Sequence, residues 1–296
     1  MAFSEQYRRQ VALLLRVLPY VAAEDCFALK GGTAINLFVR DLPRLSVDID
    51  LVYLPVAPRP ASLAAIDAAM KRIAEAIREG VRGSTIAMAR MEDTVSKLTV
   101  RAEGVQIKIE VTPVMRGTVY PPETRSVTDT VEAQFGFAEI QVVSFADLYA
   151  GKLVAALDRQ HPRDLFDVRD LLANEGISDE LRKAFLVYMI SHDRPMFEVL
   201  RPALKPLDGE YAQGFEGMTE DPVSRDRLIA MIVGDMPQEH RDFLLSFERG
   251  TPDWDRLGIP EVSDLPAVKW RQINLDKLSP EKRAALVAAL ARALEK

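Results

Sequence analysis

Two aspartates lie one residue apart in an otherwise apolar run, "RLSVDIDLVY", at residues 44–53. Alternation along a strand would turn Ser46, Asp48 and Asp50 to one face and the apolar residues between them to the other. The two carboxylates would then be about 7 Å apart, measured between their Cα atoms. Like charges this close need a positive partner, and a divalent cation bound by Asp48 and Asp50 is the usual solution.

A second strand-like run, "VQIKIEVTP" at residues 105–113, offers a third carboxylate. Apolar residues alternate with Lys108 and Glu110, so Glu110 projects from one face of this strand. If the two strands are neighbours, Glu110 joins Asp48 and Asp50, and three oxygen ligands suit Mg²⁺ while leaving room for substrate phosphates. A glutamate that only faces solvent is an equally good interpretation.

The segment "KGGT", residues 30–33, precedes the aspartates by about fifteen residues. Two glycines let backbone N–H groups approach a ligand closely, and a helix that starts there presents its positive end to phosphate. A glycine pair by itself is more often only a turn. The order of Gly31, Gly32 and Thr33 followed by an Asp-x-Asp strand favours a phosphate site.

The helical pattern "SFADLYAGKLVAALDR", residues 144–159, places a lysine inside its apolar stripe. Lys152 there needs an anion or a route to water. A lysine that extends along the surface to reach water is an even alternative, although the small neighbours Gly151 and Ala155 favour a lysine that reaches into a cleft.

The next segment, "QHPRDLFDVRDLL" at residues 160–172, predicts a helix that begins at Pro162 after His161. At helical spacing Asp164 falls inside the apolar arc and Asp167 lies at its border. A carboxylate on a packing face requires a cation, and Lys152 on the preceding helix is a natural candidate. A purely structural Lys–Asp pair that braces the two helices explains the pattern equally well.

The rest of the chain provides the elements that position these residues. Residues 4–24 predict an amphipathic helix, and residues 62–80 predict a second helix with a serine start and a glycine stop. Strand-like runs follow at 85–90, 97–102, 105–114 and 139–144, whereas helical patterns dominate from Phe145 onward. Prolines and glycines crowd residues 194–222, and a last helix is capped by Ser279. The predicted division is an α/β domain at 1–144 and a helical domain at 145–296.

Composition restricts the protein class. The 296 residues are 48% hydrophobic and carry a formal net charge of −6, which argues weakly against a nucleic-acid partner. The lone cysteine, Cys26, excludes an intramolecular disulfide and fits a small buried residue in a reducing compartment. An amphipathic surface helix explains the N-terminal segment better than a signal peptide does. We therefore expect a cytoplasmic protein with no membrane association.

Four ordered motifs resemble a known family. The segments "LKGGTAINLF…RLSVDIDLVY", "LYAGKLVAAL", "HPRDLFDVRDLL" and "LPAVKWRQINLDKL" are similar to the AbiEii-type nucleotidyltransferase toxins of type IV toxin–antitoxin systems, which include the MenT toxins. The likeness covers nearly the whole chain. It implies an α+β fold with a DNA polymerase β-like nucleotidyltransferase core and a helical C-terminal domain.

The resemblance also implies an activity and its residues. A nucleoside monophosphate would pass from an NTP to an acceptor, which in the family is the 3′ end of tRNA, so that translation is blocked. The resemblance further implies Mg²⁺, a cognate antitoxin and a role in phage defence. By motif position, Gly31, Gly32 and Thr33 would hold the triphosphate, Ser46 would sit beside the metal, and Asp48 and Asp50 would bind Mg²⁺. Lys152 would contact nucleotide phosphates, and the functional acid of "HPRDLFDVRDLL" would be Asp167 by family spacing or Asp164 by helical angle.

This sequence departs from the family in two places. Its glycine motif is Gly-Gly-Thr rather than Gly-Ser, and the strand that carries Glu110 has no certain counterpart. Two alternatives stay open: transfer to a small molecule or a protein hydroxyl, and a non-catalytic protein that binds nucleotide or antitoxin.

Overall fold

The computed structural model describes residues 4–202 and 234–295 of the chain. The chain divides into two compact units, Met1–Ser144 and Phe145–Lys296, and each is described by itself. The proline- and glycine-rich segment predicted over 194–222 lies outside the described residues from position 203 onward.

The first unit is built on a seven-stranded mixed sheet with the strand order β3-β4-β5-β2-β1-β7-β6. The aspartate strand β2 lies between β5, its parallel neighbour, and β1, its antiparallel neighbour. The strands are β1 (Phe27–Lys30), β2 (Asp48–Tyr53), β3 (Thr85–Met91), β4 (Thr94–Ala102), β5 (Val105–Arg116), β6 (Glu123–Ser126) and β7 (Glu139–Val142).

The two faces of this sheet differ in chemistry because side chains alternate along each strand. One face is apolar and fully buried, and Ile49, Leu98 and Ile109 lie side by side on it in consecutive strands. The helices α1 (Glu5–Ala22) and α3 (Arg59–Gly80) pack against this sheet and against each other. The opposite face carries the partly exposed Asp48 and Asp50. A core of this kind fixes the register of β2 and so fixes where its aspartates point.

The helices of the first unit confirm some predictions and correct others. Ser4 caps α1, where its hydroxyl accepts from the N–H of Tyr7 at 3.4 Å. The helix α3 begins at Arg59 rather than at the predicted Ser62, because prolines are well tolerated in a first helical turn. Ser62 instead lies within the helix and donates to the carbonyl of Ala57. The short helix α2 (Gly31–Ala34) continues as a π-helical turn over Ile35–Val39.

The second unit is helical over its described residues. Its helices are α5 (Phe145–Asp158), α6 (Pro162–Asn174), α7 (Asp179–Ile190), α8 (Met196–Leu200), α9 (Gln238–Arg249), α10 (Trp254–Leu257), α11 (Pro266–Asp276) and α12 (Pro280–Leu294). The predicted start at Pro162 is confirmed, and His161 Nδ1 accepts from the N–H of Arg163. The predicted cap at Ser279 is also confirmed, since its Oγ accepts from the N–H of Lys282. Together with the mixed sheet of the first unit, these helices confirm the predicted α+β fold class.

Gly151 has a different reason to be small from the one the sequence suggested. A β-carbon added at Gly151 would lie 3.2 Å from the ring of Tyr188 on α7, so the glycine lets α5 and α7 pack closely. The hydroxyl of Tyr188 donates to the buried Asp147 on α5 at 3.1 Å. Burial raises the pKa of Tyr188 well above its usual value, with the charge of Asp147 adding to this effect, so the hydroxyl remains protonated.

Membrane insertion finds no support in the described helices. None of those in residues 4–202 and 234–295 combines the length and the apolar composition that a bilayer crossing requires.

Candidate active site

The aspartates of β2 lie on one face of the strand, as alternation predicts, and both are partly exposed. Asp50 lies in register with Lys30 of β1 on one side and with Glu110 of β5 on the other. Asp48 lies in register with Lys108 of β5. The predicted adjacency of the two strands is therefore confirmed, and three carboxylates share one face of the sheet.

The glycine turn is packed directly against side chains of the aspartate segment. Gly31 has a φ of +75°, which favours glycine, and a β-carbon there would lie 2.5 Å from Asp50 Oδ2. A β-carbon at Gly32 would lie 2.9 Å from Ser46 Oγ and 3.0 Å from Arg44 Nη2. Both glycines are thus required for an acid, a hydroxyl and a guanidinium to approach the same short piece of backbone.

Thr33 connects the glycine turn to the start of β2. It is fully buried, and its hydroxyl donates to the carbonyl oxygen of Asp48 at 2.5 Å. The hydroxyl oxygen of Thr33 also lies 3.0 Å from Ser46 Oγ, within hydrogen-bond distance. Thr33 thus ties the glycine turn to Ser46 and to the backbone of Asp48, and its predicted role in holding the triphosphate stays a prediction.

Glu110 is engaged by a lysine from the next strand. Lys97 of β4 lies in register with Glu110, and its Nζ is 2.5 Å from Glu110 Oε1. The hydrogen bond with Glu110 raises the pKa of Lys97 above its usual value; burial opposes this, and the charges of Glu110 and Asp48 add to the rise. The positive charge expected beside these acids is therefore supplied in part by the chain itself.

The acids on this sheet face can be compared with the ligands that a divalent cation requires. Asp48 and Asp50 provide partly exposed carboxylate oxygens on one face, which are the ligands that Mg²⁺ prefers. No group of three or more His, Cys, Asp or Glu side chains within residues 4–202 and 234–295 is arranged to hold a metal ion. The two aspartates therefore fit a cation that keeps several ligands from water or substrate, and a metal role for Glu110 stays a prediction.

The second unit holds the other predicted site residues in a buried cluster. Lys152 Nζ on α5 lies 2.8 Å from Asp164 Oδ1 and 3.0 Å from Asp167 Oδ2 on α6. The side chain of Lys152 is 6% exposed, and those of Asp164 and Asp167 are 2% and 1% exposed. The predicted lysine–aspartate pairing is confirmed. Helical spacing predicted that Asp164 would be more buried than Asp167, but both are equally buried and both bind Lys152.

Asp164 has a second cation, which the sequence analysis missed. Arg159, in the residues that follow α5, donates from Nε to Asp164 Oδ2 at 2.5 Å and from Nη2 to Asp164 Oδ1 at 3.0 Å. Burial alone raises the pKa of Asp164, but the charges of Lys152 and Arg159 and their hydrogen bonds outweigh it and lower the pKa to about 2. Asp164 is therefore ionised at neutral pH and is satisfied inside its own unit.

Arg44 and Lys97 are the other functional candidates that the sequence analysis did not single out. Lys97 had a detectable signal, since a tight turn at Glu103–Gly104 between two strand-like runs predicts a hairpin whose register brings Lys97 opposite Glu110. Arg44 had none, because its position depends on how residues 40–47 fold back onto the glycine turn.

Comparisons with known proteins agree with the class of enzyme that this arrangement suggests. A family model described as the nucleotidyl transferase AbiEii toxin of a type IV toxin–antitoxin system matches residues 12–270. Because the match covers most of the chain, the protein belongs to the AbiEii family and is a nucleotidyltransferase toxin. A search of curated proteins gives no match.

One solved structure extends the comparison to the fold. MenT4, a nucleotidyltransferase toxin from Mycobacterium tuberculosis H37Rv, superposes with a TM-score of 0.54 over 97% of this chain and 92% of that chain. The two sequences are 16% identical, so the likeness concerns the fold. The fold and the family expected from the four motifs are thereby confirmed.

Proposed function

We propose that the protein transfers a nucleoside monophosphate from an NTP to the 3′ end of an RNA acceptor, namely tRNA, in a Mg²⁺-dependent reaction that blocks translation. The observation that carries the proposal is the approach of Asp50 and Ser46 to the glycine turn, with Asp48 on the same strand face. A phosphate-binding turn and a cation-binding acid pair are then adjacent, as a phosphoryl-transfer site requires.

In the proposed reaction the acceptor hydroxyl oxygen forms a bond to the α-phosphorus while the bond from that phosphorus to the pyrophosphate oxygen breaks. Gly31 and Gly32 would bind the triphosphate through backbone N–H groups, and Thr33 would hold Ser46 in place beside it. Asp48 and Asp50 are the residues that would hold Mg²⁺. The bound cation supplies charge neutralisation on the phosphates and makes the attacking hydroxyl more acidic.

Lys152 on α5 and Asp164 and Asp167 on α6 are the proposed site residues of the second unit. The double ion pair of Lys152 supports a division of roles in which Asp164, held also by Arg159, orients the lysine. The ammonium of Lys152 has three donors, so it can contact a phosphate oxygen while it keeps both aspartates as neighbours. Glu110 is proposed as an additional metal ligand. In the described structure its carboxylate forms an ion pair with Lys97.

The partners follow from the family and the reaction. A toxin of a type IV system implies a cognate antitoxin, and NTP and tRNA as substrates place the proposed activity in the cytoplasm. Net charge gives no support for RNA, since the chain carries −6 overall. The acceptor is therefore the part of the proposal that most needs an experiment.

A labelling assay tests the proposal. Purified protein with Mg²⁺ is offered each α-³²P-labelled NTP in turn together with total bacterial tRNA, and products are resolved on a denaturing gel. We expect label on tRNA from one or more NTPs, and none with EDTA. Label that migrates with protein or small solutes would replace RNA as the acceptor, and the absence of label from every product would contradict catalysis.

A further inference from the structure

Arg44 is a buried charged residue beside the glycine turn. The residue is 4% exposed, and its Nη2 and Nη1 atoms lie 3.0 and 3.7 Å from the place that a Gly32 β-carbon would occupy. Nη1 also donates to the carbonyl oxygen of Leu45 at 3.1 Å, which fixes the guanidinium relative to its own loop. The side chain is thus anchored against the backbone that the proposed function assigns to the triphosphate.

Side chains of opposite charge lie against the two glycines of the turn. The carboxylate of Asp50 faces Gly31, and the guanidinium of Arg44, with the hydroxyl of Ser46, faces Gly32. An NTP that reacts at its α-phosphorus must place that phosphate near the cation-binding acids. The β- and γ-phosphates carry most of the negative charge. They are then most stable beside Gly32, where the guanidinium of Arg44 supplies a fixed positive charge.

An arginine suits this position better than other cations. The guanidinium is charged at all physiological pH values and presents several N–H donors in a plane that matches two phosphate oxygens at once. In a buried site such charge-assisted hydrogen bonds are stronger than at the surface. The side chain is already ordered, so little conformational entropy is lost when phosphate binds.

We infer that Arg44 binds the β- and γ-phosphates of the nucleotide and is the residue that makes binding depend on a triphosphate. The inference rests on the proposed function, because it assumes that an NTP occupies the glycine turn. It adds a specificity-determining residue to that site. Arg44 would distinguish an NTP from the corresponding nucleoside monophosphate, whereas Asp48 and Asp50 would act at the reacting phosphate.

The test compares nucleotides that differ in phosphate number. Binding of the non-hydrolysable α,β-methylene analogues of the four NTPs, and of the four nucleoside monophosphates, is measured by calorimetry with Mg²⁺ for the full chain. For Arg44→Met we expect triphosphate affinity to fall about 10- to 100-fold while monophosphate affinity changes by less than about twofold. Arg44→Lys should give an intermediate loss, because lysine keeps the charge and lacks the planar fork. That variant also keeps the test usable if Arg44→Met fails to fold.

Arg116→Met is a matched control. Arg116 is 6% exposed, is in register with Tyr53 at the far end of β2 from Asp48, and donates to the carbonyl of Pro113. Its replacement removes a buried guanidinium from the same unit, and the preference for triphosphate should be unchanged. Equal losses for triphosphate and monophosphate in the Arg44 variants, or no loss, would overturn the inference. If the wild-type protein binds none of the four triphosphates, the proposed function fails first and the inference fails with it.

Discussion

The two units carry aspartate pairs that are neutralised in different ways. Asp48 and Asp50 lie partly exposed on a sheet face, and Lys97 in their neighbourhood is itself partly exposed and bound to Glu110. Asp164 and Asp167 are buried and share Lys152, and Asp164 also binds Arg159. The two pairs therefore differ in exposure: we propose that the partly exposed pair binds an external cation, whereas the buried pair is held by cations of the chain and keeps a lysine in position.

The largest expected effect follows from removing one acid of the exposed pair. Asp48→Asn keeps the size of the side chain and removes a proposed ligand of Mg²⁺, so transfer activity should fall by about 10³-fold or more, which corresponds to about 4 kcal/mol of activation free energy. The melting temperature should stay within about 1 °C of wild type, because a partly exposed carboxylate contributes little to stability. The labelling assay and a thermal melt measure the two effects. Asp25→Asn, an exposed aspartate of the same unit, is the control. Activity above about 10% of wild type in Asp48→Asn would contradict the role.

The second prediction concerns the free energy of unfolding. It follows from removing one acid of the buried pair. Asp164→Asn leaves the guanidinium of Arg159 and part of the charge of Lys152 without a carboxylate, which should cost about 3 kcal/mol of the free energy of unfolding. For a unit of this size that loss lowers the melting temperature by about 6–12 °C. Chemical denaturation measures the free energy and a thermal melt the melting temperature, with Asp193→Asn as control because that side chain is 83% exposed. An unchanged melting temperature would show that the cluster does not brace α5 and α6.

The pH dependence of the free energy of unfolding tests the ion pairs of Asp164. The pKa of Asp164 is about 2 in the folded protein and 3.8 in its ordinary state, so the unfolded chain binds this proton more readily. Its contribution is therefore fully present above about pH 4 and is lost as the pH falls towards 2, by about 2 kcal/mol in total. When urea unfolding at pH 5 and pH 2.5 is compared, wild type should lose about 1.5 kcal/mol more of its free energy of unfolding than Asp164→Asn does, because pH 2.5 is still above the folded-state pKa. Identical losses in the two proteins would contradict the ion-pair account.

Much of the exposed pair could be predicted from the sequence because strand alternation is a local property. The run around Asp48 and Asp50 specifies which residues share a face, and the caps at Ser4, His161 and Ser279 are equally local signals. The pairing of Lys152 with Asp164 was also within reach, because helical periodicity places an unmatched charge on each of two successive apolar faces.

The missed features depend on contacts between segments that are distant in sequence. Arg44 meets Gly32 only because the loop before β2 folds back. Lys97 differs, since the hairpin of β4 and β5 that brings it opposite Glu110 is a local feature of the sequence. The short strand β6 and the helix α4 (Asp129–Phe135) also escaped prediction, since four and seven residues are too few for a clear periodic signal. The start of α3 was predicted three residues too late, because prolines usually mark a break in a helix and here they occupy its start.

The most direct measurement of the central claim is Mn²⁺ binding, followed by electron paramagnetic resonance, with Mn²⁺ standing in for Mg²⁺. The account predicts that wild type binds Mn²⁺ and that the double variant Asp48→Asn/Asp50→Asn does not. Asp164→Asn, studied below its melting temperature, should bind Mn²⁺ like wild type, because its carboxylate is already neutralised by Lys152 and Arg159. Undiminished binding by the double variant, or its loss in Asp164→Asn alone, would contradict the distinction between the two aspartate pairs.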